Sequence, residues 1–242
     1  MNPRRFVSSG GCTAVLLIAF AVSLFAPCAL AFPPYKTTDA DTADPRTLEL
    51  RLGLVQLERE AEATEYTGPL LRANLGLPNK VELISEFEYR LGDNEFGDGA
   101  AGLKWAPIQG QVSYGIETLA LLPVRPGDRG VGLESQLLAT WRRSDEAVRV
   151  HFNAGGFHDP RGNQTINGWR ASALAEFSVA SYRPGIELFV RRKDGQDIDL
   201  RLGAGVIKSA GRFEFRSAAH VGVTRQAPDV VFNFWVSTKL PF

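Results

Sequence analysis

Three histidines, His151, His158 and His220, and two cysteines, Cys12 and Cys28, are the residues of this chain most readily enlisted for covalent or metal chemistry. A serine hydrolase needs His and Ser with an orienting acid or amide within hydrogen-bond reach, and a protease of the barrel type needs Asp and His near its rim. His158-Asp159 is the pair best suited to that work. The same residues open Asp159-Pro160-Arg161-Gly162, a strong turn sequence that accounts for them without catalysis. His151 and His220 sit in alternating segments where an interior, hydrogen-bonded imidazole is the plainer assignment. No G-x-S-x-G, H-E-x-x-H or cysteine ligand set occurs. The acidic stretches 93–98 and 194–199 lack the spacing of a calcium loop, and hairpin turns explain their Asp and Gly. The expectation is no catalytic residue, no cofactor, no metal and no enzymatic activity.

A larger set of polar residues recurs at every second position. It comprises Arg72, Glu82, Glu86, Glu88, Lys104, Glu117, Glu134, Arg142, Arg149, His151, Arg170, Glu176, Glu187, Arg191, Arg201, Glu214, Arg216 and His220. Both charge signs are present, and Arg72 and Lys104 flank the acidic run of Glu82, Glu86 and Glu88. Such residues do electrostatic work: they either knit a filled interior by cross-strand ion pairs or line a watery passage that selects solutes. Gly53, Gly76, Gly102, Gly115, Gly132, Gly155, Gly203, Gly205 and Gly222 share their parity, and small residues there favour the passage.

A period of two belongs to strands, whose side chains point alternately to opposite faces. About twelve such segments follow one another, near 47–58, 68–77, 81–90, 98–106, 111–122, 131–142, 147–157, 167–180, 184–192, 197–208, 212–224 and 230–242. Each is about ten residues long, the length a tilted membrane strand requires. In the last, Phe232, Phe234, Val236, Leu240 and Phe242 share one face, as in the closing strand of bacterial outer-membrane barrels. Aromatics including Tyr89, Trp105, Tyr114, Trp141 and Trp169 fall on the apolar parity, many near segment ends, where interfacial girdles belong. Short turns follow the even segments; longer loops, 59–67, 91–97, 123–130, 158–166, 193–196 and 225–229, follow the odd ones. The expected fold is an all-β transmembrane antiparallel up-and-down barrel of about 12 strands. An exported soluble β-sandwich that binds a ligand would show the same alternation and is the rival fold.

The chain opens with Arg4 and Arg5, a short apolar run and Ala29-Leu30-Ala31, a signal-peptide pattern over residues 1–31 with cleavage before Phe32. Both cysteines leave with it. The mature chain then carries 25 basic and 27 acidic residues, a balance that offers nothing to nucleic acid. Residues 32–46, containing Pro33, Pro34 and the acidic Asp39, Asp41 and Asp44, read as a periplasmic tail, with insertion into the lumen as the alternative, and 47–242 as the barrel. The expected setting is the outer membrane of a Gram-negative bacterium. The expected partners are outer-membrane lipid, the barrel-assembly machinery through the C-terminal strand, and an unidentified small solute, with the barrel a monomer.

The stretch Phe96-Gly97-Asp98-Gly99-Ala100-Ala101-Gly102-Leu103-Lys104-Trp105 resembles the glycine-aspartate turn and amphipathic strand of outer-membrane proteins grouped with the meta-cleavage pathway of phenol degradation. Leu121-Leu122-Pro123 with Gly127, Leu137 to Trp141, and Val150 to Gly156 are similar to that family's next hairpins. The resemblance covers most of the mature chain and rests on glycine and aromatic placement. It implies a transport barrel, which agrees with a passive channel for a small solute; a non-conducting barrel with a salt-bridged interior is the alternative.

Overall fold

The computed structural model describes residues 34–60, 63–90, 95–125 and 127–242; the expected signal peptide lies outside them. Twelve strands arise where the apolar-polar alternation is sustained: β1 (Thr47–Glu60), β2 (Ala63–Leu77), β3 (Val81–Arg90), β4 (Glu95–Ile108), β5 (Val112–Leu122), β6 (Gly132–Arg142), β7 (Val148–Asp159), β8 (Ile166–Phe177), β9 (Tyr182–Lys193), β10 (Ile198–Ala210), β11 (Phe213–Gly222) and β12 (Val230–Pro241). Each pairs antiparallel with its sequence neighbours, and β12 pairs with β1 from Thr47↔Pro241 to Arg59↔Val230, closing the barrel. Closure leaves no strand edge, and one closed sheet replaces the two packed sheets that a sandwich requires.

The faces divide as the alternation demands. Leu103, Trp105, Tyr114, Leu137, Phe152, Ile186 and Val221 are exposed on the outside, while Arg72, Lys104, Glu117 and His220 are buried inside. An apolar exterior around a charged interior is stable only where hydrocarbon replaces water outside, so this is a membrane barrel. Trp105, Tyr114 and Trp141 cluster toward the end carrying the short turns, here the turn end, and Tyr66 and Trp169 lie toward the opposite, loop end.

One expected loop and one expected turn are largely strand. Residues 59–67 belong mostly to β1 and β2, which run to Glu60 and resume at Ala63. Gly68-Pro69, where Pro cannot donate to the ladder, sits in an irregularity of β2 between Thr67 and Leu70, and pairing continues beyond it. Likewise, the Gly97-Asp98-Gly99 turn implied by the family resemblance lies within β4.

The principal departure is at the amino terminus. Residues 34–46 do not form a tail outside the barrel: Tyr35, Thr37, Thr38, Ala40 and Ala43 are buried inside it. The segment turns in at the turn end, where Arg46 N–H donates to Gly76 O (3.0 Å) and Thr47 N–H to Asp44 O (3.0 Å). A side chain at position 76 would collide with this turn, since a Cβ there would lie 2.1 Å from Asp44 O. Glycine is what permits the chain to double back.

Candidate functional site

The lumen is built from the inward residues of all twelve strands and from residues 34–46. Fourteen of the charged or histidine side chains expected there are buried: Arg72, Glu82, Glu86, Glu88, Lys104, Glu117, Arg142, His151, Arg170, Glu176, Glu187, Arg201, Arg216 and His220. Glu134, Arg149, Arg191 and Glu214 face inward and are half-buried. On β12, Phe232, Leu240 and Phe242 are exposed and Phe234 and Val236 half-buried on the lipid side.

These groups form a paired network. Arg72 is bound by Glu86 and by Glu117 (3.1 Å), and Gln136 donates to Glu117 (2.9 Å). Glu49 takes both Arg51 (2.9 Å) and Arg216 (3.1 Å), while Arg183 joins Glu214 (3.1 Å) to Glu176 (3.8 Å). In a low-dielectric interior each partner depends on the other, because removing one strands a desolvated charge.

The amino-terminal segment is wired into this network. Glu187 accepts from Lys36 N–H (3.0 Å), from Thr37 N–H and from Thr37 Oγ1 (2.6 Å), and its other contact is His220 Nε2. Thr38 exchanges two bonds with the Asn153 amide (2.6 and 2.9 Å). Ala40 N–H donates to Thr140 Oγ1 (2.8 Å), which also meets His151 Nδ1 (2.9 Å). Lys104 Nζ binds Asp39 (2.9 Å), Arg142 binds Asp41, and Ala43 N–H donates to Glu82 (2.6 Å). The Tyr35 ring packs with Leu174, Ile207 and Ala218. Space for it comes from Gly185 and Gly205, where a Cβ would lie 2.7 and 2.9 Å from Tyr35 atoms. These two glycines face each other across β9 and β10, so part of the small-residue parity houses the segment instead of widening a passage.

Two cavities with no lining residue in common remain on either side of the segment. The one toward the loop end, about 250 Å³, is lined by Lys36, Glu58, Arg170, Phe189, Arg191, Asp199 and Arg201 among others. The one toward the turn end, about 310 Å³, is lined by Asp39, Asp41, Glu49, Arg51, Lys104, Arg149, Arg216 and Lys239 among others. Thr37 and Thr38, fully buried, fall between the residues that reach the two cavities.

His158 and Asp159 do not come together as a hydrolase pair. Consecutive strand residues point apart: His158 is exposed on the outside with Nδ1 2.6 Å from Asn167, whereas Asp159 binds Arg161 (2.8 Å). Apolar inward residues escaped the sequence reading. Phe157, Phe189 and Trp235 are buried in the lumen, and Trp235 fills the space opposite Gly53, where a Cβ would lie 2.8 Å from its ring. An aromatic on the inward parity, opposite a glycine in register, is the signal that would have found Trp235.

No protein-family model matches the chain, and no curated protein matches it. Among solved structures, a COG4313 outer membrane channel from Pseudomonas putida F1 superposes with a TM-score of 0.62 at 11% identity, covering 87% of this chain and all (100%) of that one. A porin (TM-score 0.44, 8% identity, 80% of this chain and 99% of that chain) and a loop L8 deletion mutant of OmpT, an outer membrane protein of Vibrio cholerae (0.42, 9%, 80% and 98%), are more distant. The chain therefore has the fold of outer-membrane channel barrels.

Proposed function

We propose that the mature chain, exported by cleavage near Phe32, is a passive channel in the outer membrane of a Gram-negative bacterium, with residues 34–46 partitioning its lumen. The observation that carries this reading is the pair of charged cavities on the two sides of one short segment. A barrel whose only task was structural would have no need of water-accessible chambers at both ends. The solute is small and polar or charged, because Arg, Lys, Asp and Glu line both chambers. Hydrocarbons, the solutes that the meta-cleavage resemblance would suggest, find little apolar wall there. Passage requires the segment to shift but no cofactor and no covalent step. The C-terminal strand presents Phe242 for assembly, and closure within one chain suits a monomer.

A second reading, a filled and non-conducting barrel, draws on the density of buried ion pairs. Planar-bilayer recording separates the two. The channel reading predicts small, resolvable unitary currents from the folded mature protein. The absence of current at every salt and voltage, both in that protein and in one lacking residues 34–43, would establish the filled barrel.

A further inference from the structure

We infer that the cavity at the loop end is a binding site for a small organic monocarboxylate, with Arg191 as its anchor and Lys36 and Lys193 beside it. Its place on a transport route rests on the channel reading; the binding itself does not.

Arg191 is held in an unusual setting. Across the β8–β9 ladder it stands directly opposite Arg170, and like charges so placed destabilise a sheet. The carboxylates nearest the pair are already engaged: Glu134 binds Arg170 (2.5 Å), and Asp199, opposite Arg191 on β10, is gripped by Arg201 through Nε (2.8 Å) and Nη2 (2.6 Å). Among the described residues Arg191 has no ion pair, and its Nε is buried with no hydrogen-bond partner. Its guanidinium lies over the Phe157 ring, 4.4 Å from the centroid. Stacking covers one face of the planar group and leaves its edge, where the N–H groups are, for an acceptor. Lys36 and Lys193 line the same cavity and, among the described residues, form no ion pair either.

The cavity selects among anions. A carboxylate offers two coplanar oxygens to one guanidinium edge, the bidentate match that a lone fork favours. Phe189 supplies an apolar surface for a short hydrocarbon body, and about 250 Å³ accommodates a molecule displacing on the order of eight waters. Glu58, Glu60 and Asp197 also line the cavity, and their charge disfavours a dianion such as phosphate while keeping binding weak enough for release.

Equilibrium dialysis of radiolabelled butyrate against the folded, full mature protein in neutral-detergent micelles tests this, with heat-modified gel mobility as the check on folding. Saturable binding of one butyrate per barrel is expected. Arg191→Gln should weaken it by about tenfold or more, as loss of a charge-assisted contact does, while Arg192→Gln, on the lipid side of the same strand, should leave it unchanged. Should Arg191→Gln fail to fold, Arg191→Lys keeps the charge without the fork and should weaken binding severalfold. Absence of saturable binding, equal binding by the Arg191 variants, or displacement by inorganic phosphate as effective as by unlabelled butyrate would each overturn the assignment. Binding without bilayer current would leave the site standing and remove the channel; current without butyrate binding would do the reverse.

Discussion

At the scale of single residues, the contacts that hold the amino-terminal segment are charges on short tethers. Burial acts to raise the Asp39 carboxyl, but the Lys104 ammonium, with His151 and Arg51 beyond it, outweighs burial and holds it below the ordinary carboxylate range. A depressed carboxylate stabilises above its unfolded value, about 3.9, and loses that contribution as pH falls through the lower folded value. The stability difference between the intact protein and Asp39→Asn should therefore be constant from pH 8 down to about pH 4 and shrink only below it. Chemical unfolding across that range checks this, and a difference that faded between pH 7 and pH 5 would contradict it. Lys104→Met should cost about 1 to 3 kcal/mol, less than a fully buried pair because the Asp39 side chain is 24% exposed. Arg142 ties Asp41 to Ser113 Oγ (2.8 Å) and Gly110 O (2.6 Å) at the turn end. Arg142→Glu should repel Asp41, raise unitary current and move the reversal potential toward cation preference; unchanged reversal potentials would argue against a conducting path past this residue. These partners were only half legible in the sequence. Alternation placed Lys104 and Arg142 inward, but nothing in it joined them to Asp39 and Asp41, which lie in a stretch without periodicity.

At the scale of elements, the segment and the turn it makes against β2 divide the lumen. Gly76→Ala would bring a Cβ against the Asp44 carbonyl, forcing the turn away from the wall. The expected result is faster proteolysis near residues 34–46 with the barrel itself still resistant; unaltered cleavage would mean that the close approach is easily relieved. Strand boundaries were legible to within a few residues wherever alternation was unbroken, as in β3 and β12. They slipped over 59–67, just before Gly68-Pro69, and at Gly97-Asp98-Gly99, where turn-forming residues occur inside or beside strands because a bulge or a crowded inner wall accepts them. The inward path of 34–46 carried faint signals: small residues Thr37, Thr38, Ala40 and Ala43 in the segment, and glycines on the inward parity of the wall. Neither specifies a partner until the fold brings them together.

At the scale of the whole molecule, closure makes the fold, and the seam is where it is joined. Trp235 on β12 is buried against Gly53 on β1, so Trp235→Ala opens a void at the closing pair and should cost about 3 kcal/mol of unfolding free energy in urea titration. A cost under about 1 kcal/mol would show that the seam closes without it. The barrel was readable because every strand repeats one rule, apolar outward and polar inward, and hydrocarbon enforces that rule on the outer face alone. The inner face is freer, which is why Phe157, Phe189 and Trp235 were not anticipated there. On the proposed channel reading, residues 34–46 occlude a passage that exists without them. The mature chain has no cysteine of its own by the expected cleavage, so Thr38→Cys with Asn153→Cys, whose parent residues are mutually hydrogen-bonded, offers a removable lock. Single-channel recording of this variant should give little or no current when oxidised and a larger current after reduction, approaching that of a protein lacking residues 34–43. Equal currents in the locked, reduced and deleted forms would rule out occlusion by the segment.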